Sequence, residues 1–279
     1  CWRAGMRWPN ATWLLTAPVS ISTMVEPILD ERSSKTNEGH MRIAIILLLL
    51  ALAAGVAVAA AGLGYRFELW PLSQAFAILR IGAYASAAAL ALSVLGLLVL
   101  LWRRRFAGVL TLLPAVVIAG FALYVPWKMA DLAKSHPPIH DISTDLEAPP
   151  EFVALKAARE KSPNGWGWSG NSSLQRQHYA DIAPLVLKLP REQVLPLVEK
   201  AASGMGMSIV AADAADGRVE ASARTAWFGF TDDVVIRLRS GGDGGTRVDI
   251  RSASRVGVSD LGKNAERVRE LLARLKTGS

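Results

Sequence analysis

The stretch HPPIHDISTD places two histidines and two aspartates, His136, His140, Asp141 and Asp145, within ten residues. Imidazoles and carboxylates are the groups that metal binding and general acid–base catalysis need. Histidines at i and i+4 meet on one face of a helix, where they can hold zinc. Pro137 and Pro138 stand between this pair and bias the chain away from helix. In an extended chain the two rings would lie on one side but about 13 Å apart, too far to share an ion. The spacing predicts no metal site and no cofactor. It predicts a polyproline-like strap whose Ile139 and Ile142 dock on a folded domain. The catalytic alternative uses His140 as base with Asp141 or Asp145 orienting it.

Three further groups have chemical potential. In SRVGVSDLGKN (254–264), Ser259 or Asp260 suits the cap of a following helix. Arg255 with the free amides there, and Asn264 close by, could instead hold a phosphate or carboxylate. In TAWFGFTDD (225–233), Trp227 and Phe228 stand among small residues, as do Trp166 and Trp168 in NGWGWSGN. Such rings either bind a partner or close the end of a core. Arg237, Arg239, Arg247, Arg251 and Arg255 share the outward phase of two adjacent strands. They would form a basic stripe toward anionic lipid, with Glu220, Asp232 and Asp249 near enough to neutralise it. No Ser-His-Asp order, nucleophile elbow or Gly-rich phosphate loop is present.

These groups are carried by a chain of 279 residues that is 51% hydrophobic, with a mean hydropathy of +0.27. That is too apolar for an average soluble protein. Three runs, 43–63, 81–102 and 106–125, have the roughly 20 apolar residues a bilayer crossing needs. Trp70, Trp102, Tyr124 and Trp127 lie at their ends, where amphipathic rings favour the headgroup layer. Arg103, Arg104 and Arg105 form a basic cluster between the second and third runs, and such clusters stay in the cytoplasm. The third run then delivers the C-terminal part to the outer, periplasmic side of a bacterial inner membrane. The first run could be a cleaved signal, since Ala57-Val58-Ala59 and Ala59-Ala60-Ala61 fit a small-x-small site. The destination is the same either way. Gly82 with Ser86 and Ala83 with Ala87 would permit close helix contact.

Residues 1–40 lack periodicity and read as a non-native or disordered extension, with Met41 as the start. A lipidated Cys1 is the other reading. Cys1 is the single cysteine, which excludes an internal disulfide framework. Residues 1–130 carry 11 Lys and Arg against 5 Asp and Glu, and residues 131–279 carry 20 against 19. The basic surplus belongs to the membrane part, so no nucleic-acid partner is expected.

The organisation read from the sequence is an extension to 40, a membrane region at 41–128, a linker and docking segment at 129–180, and a domain at 181–279. In that domain DIAPLVLKL reads as a strand and PREQVLPLVEKAASGMG as a helix, with Pro196 inside it. MSIVAAD, GRVEASARTAWFG, DDVVIRLRS and GTRVDIRSAS read as four strands. Val234, Ile236 and Leu238, then Val248 and Ile250, alternate with polar positions and predict one buried face. Leu261, Ala265, Val268, Leu272 and Leu275 form the apolar stripe of a final helix. The class is α+β: transmembrane helices followed by a β-α-β-β-β-β-α domain, an antiparallel curved sheet covered by helices.

PPIHDISTD, YADIAPLVL, TAWFGFTDDVVIRL and SRVGVSDLGKNAERVREL, in that order, resemble the bacterial domain of unknown function numbered 1499, over roughly 136–276. The resemblance implies no activity, catalytic residue or cofactor. It implies that Pro138, Ile139, His140, Asp141, Asp145, Trp227, Phe228, Asp232, Asp233, Arg255, Ser259, Asp260, Gly262 and Asn264 match the family's pattern. The expected function is a membrane-anchored module whose partners are the lipid bilayer and an envelope protein or anionic lipid. An enzyme around His140, Asp141 and the Ser259-Asp260 turn is one alternative, and a structural subunit of a membrane assembly is the other.

Overall fold

A computed structural model describes residues 21–278, with side chains from residue 38 onward apart from Ala107. The expectations for Cys1 and the first twenty residues fall outside the described residues. Three long helices come first: α1 (Ile21–Arg66), α2 (Leu72–Trp102) and α3 (Phe106–Ser135). Each contains a stretch long and apolar enough to cross a membrane, Glu38–Arg66, Leu72–Trp102 and Gly108–Ser135. These stretches are longer than the hydropathy runs. The helices continue beyond the apolar window, and α3 runs through both Pro114 and Pro126.

Lipid tails are as apolar as leucine, so helices in a bilayer associate by close packing of small residues. That is the pattern here. Ala44, Ala51, Ala89, Ala115 and Ala119 are buried between the helices, while Ile46, Leu49, Leu95, Leu98, Leu110 and Val117 face outward. A Cβ on Gly82 would come within 2.9 Å of Val58. The Gly82–Ser86 face is therefore used inside the bundle. The Arg103–Arg105 turn closes one end, and α3 carries the chain to the other.

There the polypeptide enters a second unit. Its elements are β1 (Asp141–Ser143), α4 (Lys156–Glu160), α5 (Ser172–His178), β2 (Leu185–Leu187), α6 (Arg191–Gly204), β3 (Ser208–Asp213), β4 (Arg218–Arg224), β5 (Thr231–Ser240), β6 (Thr246–Ser254) and α7 (Lys263–Gly278). From β2 onward this is the β-α-β-β-β-β-α order read from the sequence. The sheet is antiparallel, ordered β1-β6-β5-β4-β3, with β2 beside β1 on the same edge of β6. Helices α6 and α7 cover one face. Val194, Val198, Ala202, Val268, Leu271 and Leu275 meet Val219, Val234, Ile236, Val248 and Ile250 in one core.

Two sequence expectations need correction. Strand β4 ends at Arg224 rather than running through Trp227, because the aromatic stretch leaves the sheet. The sheet also has two buried faces, not one: β5 and β6 are buried at nearly every position. Their charged phase lies beneath the segment between β1 and α5, which falls within the linker and docking segment at 129–180.

Candidate functional site

The strap behaves as its prolines require. Ile139 and Ile142 are buried in the core, and β1 pairs with β6 through Asp141↔Ala253, Ile142↔Ser252 and Ser143↔Arg251. Gln175 finishes the outer edge of β1. Its Nε2 donates to the Ser143 carbonyl at 2.6 Å, and its Oε1 accepts from the Ser143 amide at 3.1 Å. The side-chain amide thus substitutes for a neighbouring strand and leaves that edge unavailable for pairing.

Asp141 is fully buried and forms a two-point pair with Arg251, Nε to Oδ1 at 2.9 Å and Nη2 to Oδ2 at 2.8 Å. The same guanidinium donates to the carbonyls of Pro150 at 3.2 Å and Gly167 at 2.7 Å. One arginine therefore ties the strap, β6 and both ends of the covering segment together. Buried charge is tolerated only when paired and saturated with hydrogen bonds, and this site meets both conditions.

The rest of the face is built alike. Arg159, fully buried, donates to Asp233 at 2.9 Å and to the Ala253 carbonyl at 2.9 Å. Burial pulls its pKa down while Asp233 opposes that. Arg255 grips Asp233 through Nε at 2.8 Å and Nη2 at 2.9 Å. Glu220 accepts the amides of Val153, Ala154 and Leu155 at 2.7, 3.0 and 2.8 Å, neutralising the free N–H groups where α4 begins. Asp145 Oδ2 accepts from Arg237, Arg239 and Arg247 at 3.2, 2.8 and 3.2 Å. Burial works against the Asp145 charge, but the Ala148 and Glu147 amides and the arginines hold its pKa below the usual carboxylate value.

The predicted lipid-facing stripe is thus a charge-paired surface, on which Arg239 and Arg247 stay 41% and 36% exposed. Arg251 is 1% exposed, and Arg237, Arg239, Arg247 and Arg255 are paired with Asp145, Asp249 or Asp233. The physical reason is charge matching across the fold. Alternation on a strand shows only that the second phase is polar; Asp249 pairs with it locally, and Asp145 and Asp141 reach it from 92 to 110 residues away.

His140 does not approach Asp260 or Arg255 through its ring. Its Nε2 lies 3.1 Å from Ser169 Oγ, and Ser169 donates to Asp141 at 3.1 Å from both Oγ and N. The serine stands between imidazole and carboxylate, so the histidine is not oriented by the acid. His136 goes elsewhere, its Nδ1 3.0 Å from the Leu132 carbonyl oxygen. Among the described residues no three His, Cys, Asp or Glu side chains come together as a metal set.

The turn before α7 is a cap. Asp260 Oδ1 accepts the Gly262 amide at 2.9 Å and its Oδ2 the Asn264 amide at 2.5 Å. Burial pushes the Asp260 carboxyl up, against those amide bonds. Ser259 Oγ donates to the Pro137 carbonyl at 3.3 Å. Gly262 has φ +83° and a Cβ there would lie 2.3 Å from the His136 ring, so the strap crosses directly over this turn. Asn264 is fully buried. Its Nδ2 donates to the His140 carbonyl at 2.8 Å, and its Oδ1 accepts from Ser252 at 2.6 Å.

Trp227 and Phe228 join the two units. Phe228 is buried with Val58, Ala61, Ala75, Leu79 and Ala122 from all three long helices. It stacks on Phe230 at 5.0 Å and meets Trp227 edge-on at 4.8 Å. Trp227 Nε1 donates to the Ala59 carbonyl at 2.9 Å, and a Cβ on Gly62 would lie 2.5 Å from that nitrogen. Arg66 Nη1 donates to the Ala226 carbonyl. At 1.5 Å of rise per residue, Ala59 lies about 10 Å down the helix from Arg66. The β4–β5 loop therefore seats in the end of the bundle.

Residues 141–275 match the family described as protein of unknown function (DUF1499). The C-terminal domain belongs to this family. No curated protein matches the chain. The match opens on the first residue of β1 and closes on the last core leucine of α7, so it takes in the covering segment and the strap from Asp141 onward, while residues 136–140 lie outside it. Three helices able to span a membrane precede it. Arg159, Ser169 and Gln175 do not stand out in the sequence, because each works through a partner distant in the chain and none lies in a periodic pattern.

Proposed function

We propose that the protein is a membrane-anchored binding module whose DUF1499 domain docks an envelope protein or lipid on the outer side of a bacterial plasma membrane. The observation that carries the reading is the seat of Trp227 and Phe228 among α1, α2 and α3. A domain clamped to its anchor is placed for work at the membrane surface, whereas a domain on a loose tether would range away from it. The side is supported by the Arg103–Arg105 turn at the opposite end of the bundle, since basic clusters stay in the cytoplasm. The chemistry-bearing groups favour binding over catalysis. Asp141, Asp145 and Asp233 are engaged by guanidinium groups and Asp260 by amides, while a general base needs a lone pair open to substrate.

A structural subunit of a membrane assembly is the second reading, favoured by the covering of the arginine face. Alkaline phosphatase fused after residue 279 tests the side. An active fusion is expected, and an inactive one with an active cytoplasmic reporter at the same place overturns the orientation. Crosslinking in native membranes tests the partner. Adducts to an envelope protein or lipid through domain residues support the binding module, and adducts confined to the long helices support the structural subunit.

A further inference from the structure

We infer that the cavity under the Arg103–Arg105 turn is a site for the phosphate headgroup of an anionic phospholipid. It has a volume of about 320 Å³ and lies between α1 and the α2–α3 turn, far from the DUF1499 domain. His40, Arg104 and Arg105 form its polar wall, and Leu100 and Phe106 its apolar one. That division fits a charged headgroup joined to the first carbons of an acyl chain. The turn falls between the spanning stretches Leu72–Trp102 and Gly108–Ser135, at the bilayer boundary where lipid phosphates lie. Trp102 and Phe106 flank it, 82% and 66% exposed, as interfacial rings do.

The electrostatics point the same way. A guanidinium is a planar fork that matches phosphate oxygens. Glu38, close by on α1, is engaged by Arg42 at 3.6 Å, and among the described residues no carboxylate forms an ion pair with Arg104. Helix α3 has no acidic residue in its first turn and no side-chain cap, so its positive end adds to the field of the arginines. Free phosphate would engage Arg104 but leave Phe106 uncovered. A lipid covers both walls.

The test is native mass spectrometry of the full chain in neutral detergent with added phosphatidylglycerol or phosphatidylcholine. Phosphatidylglycerol should be retained in preference. Arg104→Gln and Arg105→Gln should each weaken its retention about fivefold, the equivalent of roughly 1 kcal/mol per cation near an anionic surface. Arg103→Gln makes the same charge change outside the cavity lining and should alter retention less than about twofold. Equal retention of the two lipids overturns the site, as does an Arg103→Gln loss equal to that of Arg104→Gln. Complete displacement of the lipid by inorganic phosphate overturns the lipid as the ligand. A measurement on the unaltered chain guards against misfolded variants. A photoreactive phosphatidylglycerol should label peptides spanning 100–108, and labelling confined to other segments overturns the assignment.

Discussion

Trp227 and Ala59 lie 168 residues apart in the chain and are joined by a 2.9 Å hydrogen bond from the indole N–H to a helix carbonyl. This contact, with Phe228 beside it, makes the membrane bundle and the DUF1499 domain one object. It also gives α1 a structural role, because cleavage after Ala59 would remove Val58 and Ala59 from the socket, and cleavage after Ala61 would remove Ala61 as well. The mature protein is expected to retain α1, which its intact mass will show.

Phe228→Ala empties a buried aromatic site, a change that typically costs about 3–5 kcal/mol. The variant should lower the thermal midpoint in detergent and expose the Thr225–Phe230 loop to limited proteolysis. Gly62→Val should do the same by pushing on the Trp227 ring. A domain that stays protease-resistant in both variants would show that the clamp does not hold the units together.

The Asp141–Arg251 pair should behave as a buried ion pair. Arg251→Met leaves a buried carboxylate without its partner and is expected to destabilise by about 3–5 kcal/mol. Adding Asp141→Asn should restore part of the loss, because neighbours in one network are not additive. Denaturant unfolding followed by tryptophan fluorescence measures both.

His140→Ala removes one side-chain hydrogen bond, to Ser169, and should cost only about 1 kcal/mol. Asn264→Ala removes bonds that hold both the His140 carbonyl and Ser252, and should cost more. If His140→Ala abolishes the cellular phenotype of the protein while leaving its stability intact, the catalytic alternative regains the lead.

Asp260 gives a pH dependence of defined sign. Burial raises its folded pKa above the ordinary carboxylate value, so the folded state holds the proton more tightly than the unfolded chain. Its contribution is complete below the unfolded pKa and is lost as pH rises through the folded one. The stability difference between wild type and Asp260→Asn should therefore move in favour of wild type as pH falls from about 7 toward about 4. A flat difference would show that Asp260 does not titrate abnormally. Asp145, whose pKa is lowered, acts in the opposite sense and loses its contribution as pH falls.

Local pattern carried far in this chain. The spanning helices, the strand and helix order from β2 to α7, the docking of Ile139 and Ile142, and the Asp260 cap were all legible. In each, the signal lies in residues within one or two turns of one another. The role of Glu220 was only half legible. It read as a neutraliser of the arginine stripe, and it instead accepts three amides of a segment 65 to 67 residues away. The short helices α4 and α5 gave no periodic signal because neither is long enough to show one.

The sequence by itself therefore determined the three helices able to span a membrane, the α+β class and the elements that meet in the helix-covered core, since apolar patterning records which face of each element leaves water. Only the tertiary structure decided what the charged phase and the aromatic loop do. An arginine on a strand looks the same whether it faces solvent or a buried aspartate 110 residues away. Exposed-looking rings likewise do not say whether they await a partner or already occupy the end of their own helix bundle. Both are settled by which surfaces the fold brings into contact, and no local spacing encodes that.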